Sequence, residues 1–509
     1  MESFTWGKAK WLVVAVLFGL CVAPTFISYR PWVFTWDDSD YLSRSIEVSR
    51  AFYSWSVHQL GVAMVSMRPP AMTFLGLPWG PLASWDAASN CFLTLAAATS
   101  LLAALCFYLV LRIGVKPLFS ILAGLCVFAS MGPYPVEGAS AHSAATGFLA
   151  DSLFAWTTLA AVLLLPFEAR SPCPSGRSAV MRGVLWGLVL SLGAMTKVNF
   201  LYFVVTIVPA LFLIGFLQGG LPRAVRSVTA FFCVSAPSAF YLVHYGRAAF
   251  DNARASSFGG VATFYRIPVA TFLGDTFRES PGMLFSFLLT ACALIYVVCV
   301  AVRRRRMQPW PDLLAVLIVI GFGIIVLAAP NKQIRYAFPA IVALPFLTGI
   351  LLSGKGDPVP ARTAASAAGV VLCALLAASV PTRHRADRRS LDRCEAVLAE
   401  ALRCNAKSIV IATDSPTMNN SLLGLAMEFS PSRASNVTLA YRAMSGVPVA
   451  EDFRAMGESD LVVFQDREAL RPAFTNQRVP EYEEHIRQTG VVPVRVANDV
   501  LVYPMHCRP

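Results

Sequence analysis

The sequence predicts a polytopic α-helical membrane domain over residues 1–380 followed by an α/β domain over residues 381–509. Three observations carry this reading. Hydrophobic residues make up 56% of the chain and charged residues 14%, against roughly half and a quarter in ordinary globular domains, which excludes a simple soluble protein. About eleven apolar runs approach the roughly 20 residues that a helix needs to cross a bilayer core. Near residue 380 those runs stop, and short buried-strand patterns alternating with helical ones take over.

The runs lie at 10–28, 90–111, 117–132, 146–166, 183–196, 200–217, 227–243, 283–301, 312–329, 336–353 and 363–380, bounded by charge or by Pro and Gly. The fifth is short, and its separation from the sixth rests on a break at Thr196-Lys197-Val198-Asn199. A single kinked span there would reverse the side of every later run. Lys and Arg in short loops mark the cytoplasmic side, and alternate loops are basic: Arg112 and Lys116; Arg170, Arg177 and Arg182; Arg223 and Arg226; Arg303 to Arg306; Lys355 and Arg362. This pattern puts the N-terminus inside and the loops 29–89 and 245–282, together with 381–509, on the external face. The formal charge of +12 is then largely a topological signal and calls for no nucleic-acid partner. Lys8 and Lys10 precede the first run, but no clean small-residue cleavage site follows it, so it reads as a retained helix.

The loop 29–89 carries Trp32, Trp36, Trp55, Trp79 and Trp85, with helical periodicity around Tyr41 to Tyr53. Such aromatics favour the membrane interface, so this loop is expected to lie on the bilayer as short amphipathic helices. The loop 245–282 holds Arg247, Arg254, Arg266 and Arg278 among aromatics and glycines, and its length suggests a lid. In the C-terminal part, Ser408 to Asp414 reads as a buried strand and Leu422 to Glu428 as a helix. Val437 to Tyr441 and Leu461 to Phe464 read as strands, and Val494 to Tyr503 as a hairpin around Asn498-Asp499. Strands alternating with helices predict a largely parallel sheet. No glycine-rich phosphate loop follows any strand, which argues against a nucleotide-binding module. Most of the 12 cysteines sit singly in apolar runs as small hydrophobes, without zinc spacing. Cys394, Cys404 and Cys507 fall in the external tail, where Cys394–Cys404 is the expected disulfide.

The chemistry gathers at one membrane level. Trp36-Asp37-Asp38-Ser39-Asp40-Tyr41 places three carboxylates in four residues just beyond the first run. A solvated acidic loop explains that without function; a carboxylate beside another and partly desolvated suits a general base, and two or three oxygens suit a divalent metal. Met67-Arg68-Pro69-Pro70 fixes an extended turn that sets Arg68 for a phosphate. Glu137, His142 and Asp151 follow; Asp151 lies about a turn below the surface, where a carboxylate needs a polar cavity, and His142 offers a metal or acid/base role. Lys197 closes the fifth run, and Asn331-Lys332-Gln333-Ile334-Arg335-Tyr336 opens the tenth. Cations at helix ends often only snorkel. Lys197, Lys332, Arg335 and Arg68 at the level of Asp37 and Asp151 fit an anionic, lipid-linked substrate undergoing acid/base chemistry.

Four segments together resemble the GT-C superfamily of membrane glycosyltransferases. They are Trp36 to Tyr41, Arg68-Pro69-Pro70, Gly193-Ala194-Met195-Thr196-Lys197 and Arg335-Tyr336-Ala337-Phe338-Pro339. The likeness is strongest to bacterial relatives of protein O-mannosyltransferase and the lipid A aminoarabinose transferase, the family 39 type, and covers roughly residues 8 to 353. It implies a bacterial inner-membrane enzyme with a GT-C-like domain and a periplasmic tail. Such an enzyme transfers one hexosyl or pentosyl unit, with inversion, from a polyprenyl-phosphate donor to a glycolipid, glycan or protein hydroxyl. It further implies Asp37 as base; Asp38, beside it, and Asp151, by its depth, are the further catalytic candidates read from the residues. Arg68, Lys197 and Arg335 map to the donor phosphate, and Lys332, Tyr336 and Glu137 join the substrate-binding set. Some members use a divalent metal, for which Asp37, Asp38, Asp40 and His142 are the candidates; others do not. Asp40 after Ser39 departs from the pattern and has no assigned role.

Two other classes suit the topology. Transporters and lipid flippases carry ionisable residues or broken helices near the bilayer midplane, whereas runs 90–111, 283–301 and 363–380 hold no charged residue. A surface-polysaccharide polymerase or ligase shares external loops and basic phosphate sites; the early Asp37-Asp38 placement favours the GT-C reading.

Overall fold

The computed structural model describes residues 36–65, 69–82, 90–130, 150–170, 176–258, 266–279, 310–332, 334–352, 389–415, 418–429, 437–442, 448–466 and 476–507, with a few further single positions. The chain forms two compact units: one of residues 1–29, 57–75 and 92–383, the other of residues 30–56, 76–91 and 384–509.

The helix expected around Tyr41 to Tyr53 is α1, Trp36–Tyr53. It ends in a turn at Trp55, whose φ of 54° is left-handed, before α2, Val57–Met64. Then come α3 (Cys91–Arg112), α4 (Pro117–Ser130), α5 (Ala150–Arg170), α6 (Gly176–Thr196) and α7 (Leu201–His244). They are followed by α8 (Arg247–Phe258), α9 (Val269–Glu279), α10 (Trp310–Ala328) and α11 (Ile334–Leu352).

Among the described residues, six helices are long and apolar enough to cross a membrane, making this a multi-pass membrane protein. The 44 residues of α7 run about 66 Å at helical rise, twice a bilayer core. Gly220 resolves the excess. At φ 73° and ψ −178° it leaves helical geometry and divides α7 where the sixth and seventh runs were separated, a conformation that only glycine adopts without strain. The break expected at Thr196 to Asn199 also forms: Lys197 is extended (φ −149°, ψ 137°) between α6 and a 3-10 turn, Val198–Phe200. Runs 10–28 and 363–380 lie outside the described residues, apart from Val16, and 283–301 is described only in part.

The centre of this unit is α5, buried along nearly its whole length. It packs against α6, α7, α10 and α11. Apolar residues all round a helix mark one surrounded by other helices, and α5 fits that description apart from a carboxylate near each end, Asp151 and Glu168.

In the second unit, α12 (Arg389–Arg403), β1 (Ser408–Ile411), α13 (Asn420–Phe429), β2 (Thr438–Tyr441), α14 (Val449–Glu458), β3 (Leu461–Gln465), α15 (Val479–Gln488), β4 (Val494–Ala497) and β5 (Val500–Pro504) follow in order. The strands match the sequence pattern closely, but the sheet order β2-β1-β3-β5-β4 is mixed rather than largely parallel. β1 pairs in parallel with β2 and β3, while β5 runs antiparallel to both β3 and β4. The reason is the two-residue turn at Asn498-Asp499, which forces β5 back along β4 and lays it against β3 in the reverse sense. Burial opposes ionisation of Asp499, yet hydrogen bonds from Arg393 and Gln465 hold its carboxyl below the ordinary range, fixing that turn to α12.

The expected Cys394–Cys404 disulfide is not formed; Cys404 bonds Cys507 instead, with Cα atoms 4.8 Å apart. Cys394 lies within α12 and Cys404 just past its end, so about ten helical residues, roughly 15 Å of rise, separate them, far beyond disulfide reach. The Cys394 thiol is buried beside the Met418 sulfur, and burial pushes its pKa up to about 12.

Candidate active site

The chemistry-bearing residues of the membrane unit meet at the Asp151 end of α5. Lys197, held out of helix at the end of α6, directs its ammonium onto the Asp151 carboxylate in a salt bridge; Asp151 is almost fully buried and Lys197 largely so. The same ammonium lies 5.5 Å from the ring centroid of Phe154, one turn along α5, and 5.3 Å from that of Tyr336 in the first turn of α11. The guanidinium carbon of Arg335 also lies 5.3 Å from the Tyr336 centroid. One ring is therefore shared by two cations, which gathers positive charge beside it.

Local sequence explains the corner. A Cβ on Gly193 would come within 2.2 Å of the Phe200 ring, so only glycine lets the chain turn back on itself just before Lys197. Phe200 then joins Phe154, Phe203 and Phe322 in an aromatic floor, with Phe154 lying 5.9–6.3 Å from each of the others. The residues after Arg68 dock at the same place: the Ala71 amide donates to the Met195 carbonyl at 2.9 Å, two residues before Lys197. Thr73 Oγ1 and the Thr73 amide both donate to the Pro70 carbonyl, fixing the turn that the prolines begin.

Lys332 is buried, 7% exposed, and forms no salt bridge among the described residues. Its neighbour Asn331 forms an isolated antiparallel bridge with Arg266 and donates from Nδ2 to the Ser256 carbonyl at 2.8 Å. Together with α8, which packs on the 3-10 turn after Lys197, these contacts bring two described parts of the loop 245–282, α8 and Arg266, beside the corner.

Asp151, Lys197, Arg335 and Tyr336 are thus brought together. Asp37, Asp38 and Asp40 lie in the first turns of α1, in the other unit, where carboxylates are favoured by the helix dipole. Asp40 is half-buried, and the side chains of Asp37 and Asp38 are outside the described set. Arg68, Glu137 and His142 also lie outside the described residues. Among the described residues, no three His, Cys, Asp or Glu side chains gather where they could hold a metal ion. Sequence reasoning missed Phe154, Asn331 and the Ala71–Met195 contact.

Helices packed round a buried α5, with cations and a carboxylate converging at one end, define a polytopic membrane protein. The chain is similar in structure to ArnT from Cupriavidus metallidurans bound to undecaprenyl phosphate, with a TM-score of 0.54 and 14% identity over 97% of this chain and 98% of that one. The apo state of that protein gives 0.51 and 14%, covering 98% of each chain. The likeness, at this identity, is one of fold. No protein-family model and no curated protein matches the sequence.

Proposed function

We propose that this chain is an inverting glycosyltransferase that moves a single sugar from a polyprenyl-phosphate donor to a hydroxyl of a glycolipid, glycan or protein. The reaction takes place on the external face of a bacterial inner membrane crossed by about eleven helices. The observation that carries the reading is the Tyr336 ring flanked by the Lys197 ammonium and the Arg335 guanidinium, in a fold shared with a protein that binds undecaprenyl phosphate. The Cys404–Cys507 disulfide supports an oxidising compartment for the C-terminal domain.

In this mechanism Asp37 takes the proton of the acceptor hydroxyl as its oxygen attacks the anomeric carbon from the side opposite the phosphate. The anomeric carbon–phosphate oxygen bond breaks, polyprenyl phosphate leaves with the bonding pair, and the configuration inverts. Polyprenyl phosphate is already a good leaving group, so catalysis is mostly positioning and stabilisation of the charge growing on the phosphate. Lys197, Lys332, Arg335 and Arg68 supply that positive charge. Asp151, the further catalytic candidate, holds the Lys197 ammonium in place through their salt bridge. Tyr336 is a partner for the sugar or phosphate, Glu137 belongs to the same substrate set, and Asp38 supports Asp37.

The test is transfer from a radiolabelled polyprenyl-phosphate sugar to an envelope lipid extract by the purified protein in liposomes. Wild type should label an acceptor and Asp37→Asn should not, with membrane insertion intact. Wild-type turnover by Asp37→Asn would remove the base assignment; loss of no glycolipid or surface glycan on gene deletion would remove the activity.

A further inference from the structure

The helix that carries the acidic motif belongs to the same compact unit as the C-terminal α/β domain, and the contacts between them are specific. α1 packs on α13 and buries Tyr41, Leu42, Ile46 and Val48. At its far end, the Arg50 guanidinium joins three pieces of chain. Nη1 donates to Glu428 Oε2 at 2.5 Å, Nη2 to the Glu428 carbonyl at 3.4 Å, and Nε to the Leu82 carbonyl at 3.2 Å. Glu428 is in the last turn of α13, where carbonyls lack helical partners, so Arg50 both pairs with the side chain and caps the helix. Ser49 Oγ donates to the Gly80 carbonyl, and the Tyr53 hydroxyl to that of Leu77 at 2.6 Å.

The other end of α13 is tied to the sheet. The Leu422 amide donates to Asn419 Oδ1 at 2.9 Å, Asn419 Nδ2 donates to the Ser415 carbonyl at 3.1 Å, and the Ser415 hydroxyl bonds Gln465 at the end of β3. Ser415, Asn419 and Gln465 are fully buried. An unbroken line of fixed groups therefore runs from β3 through α13 to Arg50 and along α1 to the acidic motif.

We infer that Arg50 and Glu428 are positioning residues, through which the C-terminal domain sets the placement of Asp37. The inference rests on the reading of Asp37 as the base. The clasp lies 13 residues from Asp37 along the helix, a lever of about 20 Å, so a tilt of a few degrees at the clasp moves the motif by about 1 Å, and misplacement on that scale can cost about 100-fold in rate. The pair itself is partly exposed, with side chains 30% and 42% accessible, and such pairs add little to stability. A role confined to stability predicts almost no effect of its removal; a positioning role predicts a large one.

The experiment uses the full-length protein in proteoliposomes with Arg50→Glu, Glu428→Arg and the charge-swapped double variant. Each single change should lower kcat about tenfold or more with donor KM within about twofold and unchanged thermal stability, and the swap should recover most of the loss. Amide exchange of residues 36–42 should rise in each single variant and fall back in the double. Single variants with wild-type exchange and kcat overturn the inference, as does a folded double variant without recovery. Asp37→Asn assayed alongside separates the two failures: if it retains activity, the base assignment falls, while the exchange data still decide whether the clasp holds the helix.

Discussion

The two ends of α5 each bury a carboxylate, and they neutralise it with different partners. At the Glu168 end, Oε1 accepts from Arg182 at 2.8 Å and from Arg223 at 3.1 Å, and the Gln218 amide donates to the carbonyls of Glu168 and Ala169. Nearby, Arg170 bonds Asp312 at 2.5 Å. These charges face directional protein partners that link α5, α6, α7 and α10. At the Asp151 end, Lys197 meets one carboxylate and then two aromatic faces, with Lys332 buried among the described residues without a salt bridge. Ring faces hold a cation loosely, by about 0.5–2 kcal/mol. One end is closed by its own chain; the other leaves part of its charge to ring faces, which is what the proposed phosphate site requires.

The largest expected effect tests the closed end. Glu168→Ala strands two arginines that are only 11% and 10% exposed, and breaking a buried pair by removing one partner costs about 3–5 kcal/mol. Thermal unfolding in detergent should fall by many degrees, while the donor KM of the surviving folded protein stays unchanged. A raised KM with unaltered stability would dissolve the contrast between the ends.

Lys197→Ala sharpens it from the other side. Loss of one preorganised charge at a site of developing negative charge costs about 100-fold or more in turnover. Because Lys197→Ala alone would strand the buried Asp151, it is paired with Asp151→Asn, and kinetics with the labelled donor should show that loss in the folded double variant. An unfolded double variant would mean that the pair is kept for packing, as Glu168 and its arginines are.

Next in size is Gly193→Ala, which joins packing to function. The added Cβ meets Phe200 at 2.2 Å, and overpacking of this kind costs about 1–3 kcal/mol. Because Phe200 packs against Phe154, whose ring faces Lys197, the variant should lose both stability and donor affinity; loss of stability alone would separate the aromatic floor from the site.

Much of this was legible in the sequence, and the rest has physical reasons for being hidden. The break at Lys197 could be read because a charged and an amide residue interrupt two apolar runs, and the strands from Ser408 onward because their hydrophobic pattern is local. Tyr336 and Lys197, by contrast, share a contact across 139 residues of chain, which no periodicity encodes. The grouping of α1 with the C-terminal domain and the Cys404–Cys507 bond are likewise tertiary facts. Spacing in sequence favoured Cys394 for the disulfide, and the rise of α12 forbade it.

Lys332→Met has the smallest expected effect, and its sign is what matters. Burying an ammonium without a carboxylate partner is unfavourable, so a lysine kept for packing should destabilise the protein when removed, whereas one kept for a ligand should leave it equally or more stable. Lys332 is 7% exposed, and methionine fills similar volume with no charge. The expected outcome is a melting temperature equal to or above that of wild type, together with a donor KM raised several-fold, about 1 kcal/mol of lost binding. The stabilising effect of added polyprenyl phosphate on unfolding should shrink by the corresponding amount. A lower melting temperature with unchanged KM would place Lys332 with Arg182 and Arg223, among charges held for the fold, and leave Lys197 and Arg335 to carry the phosphate.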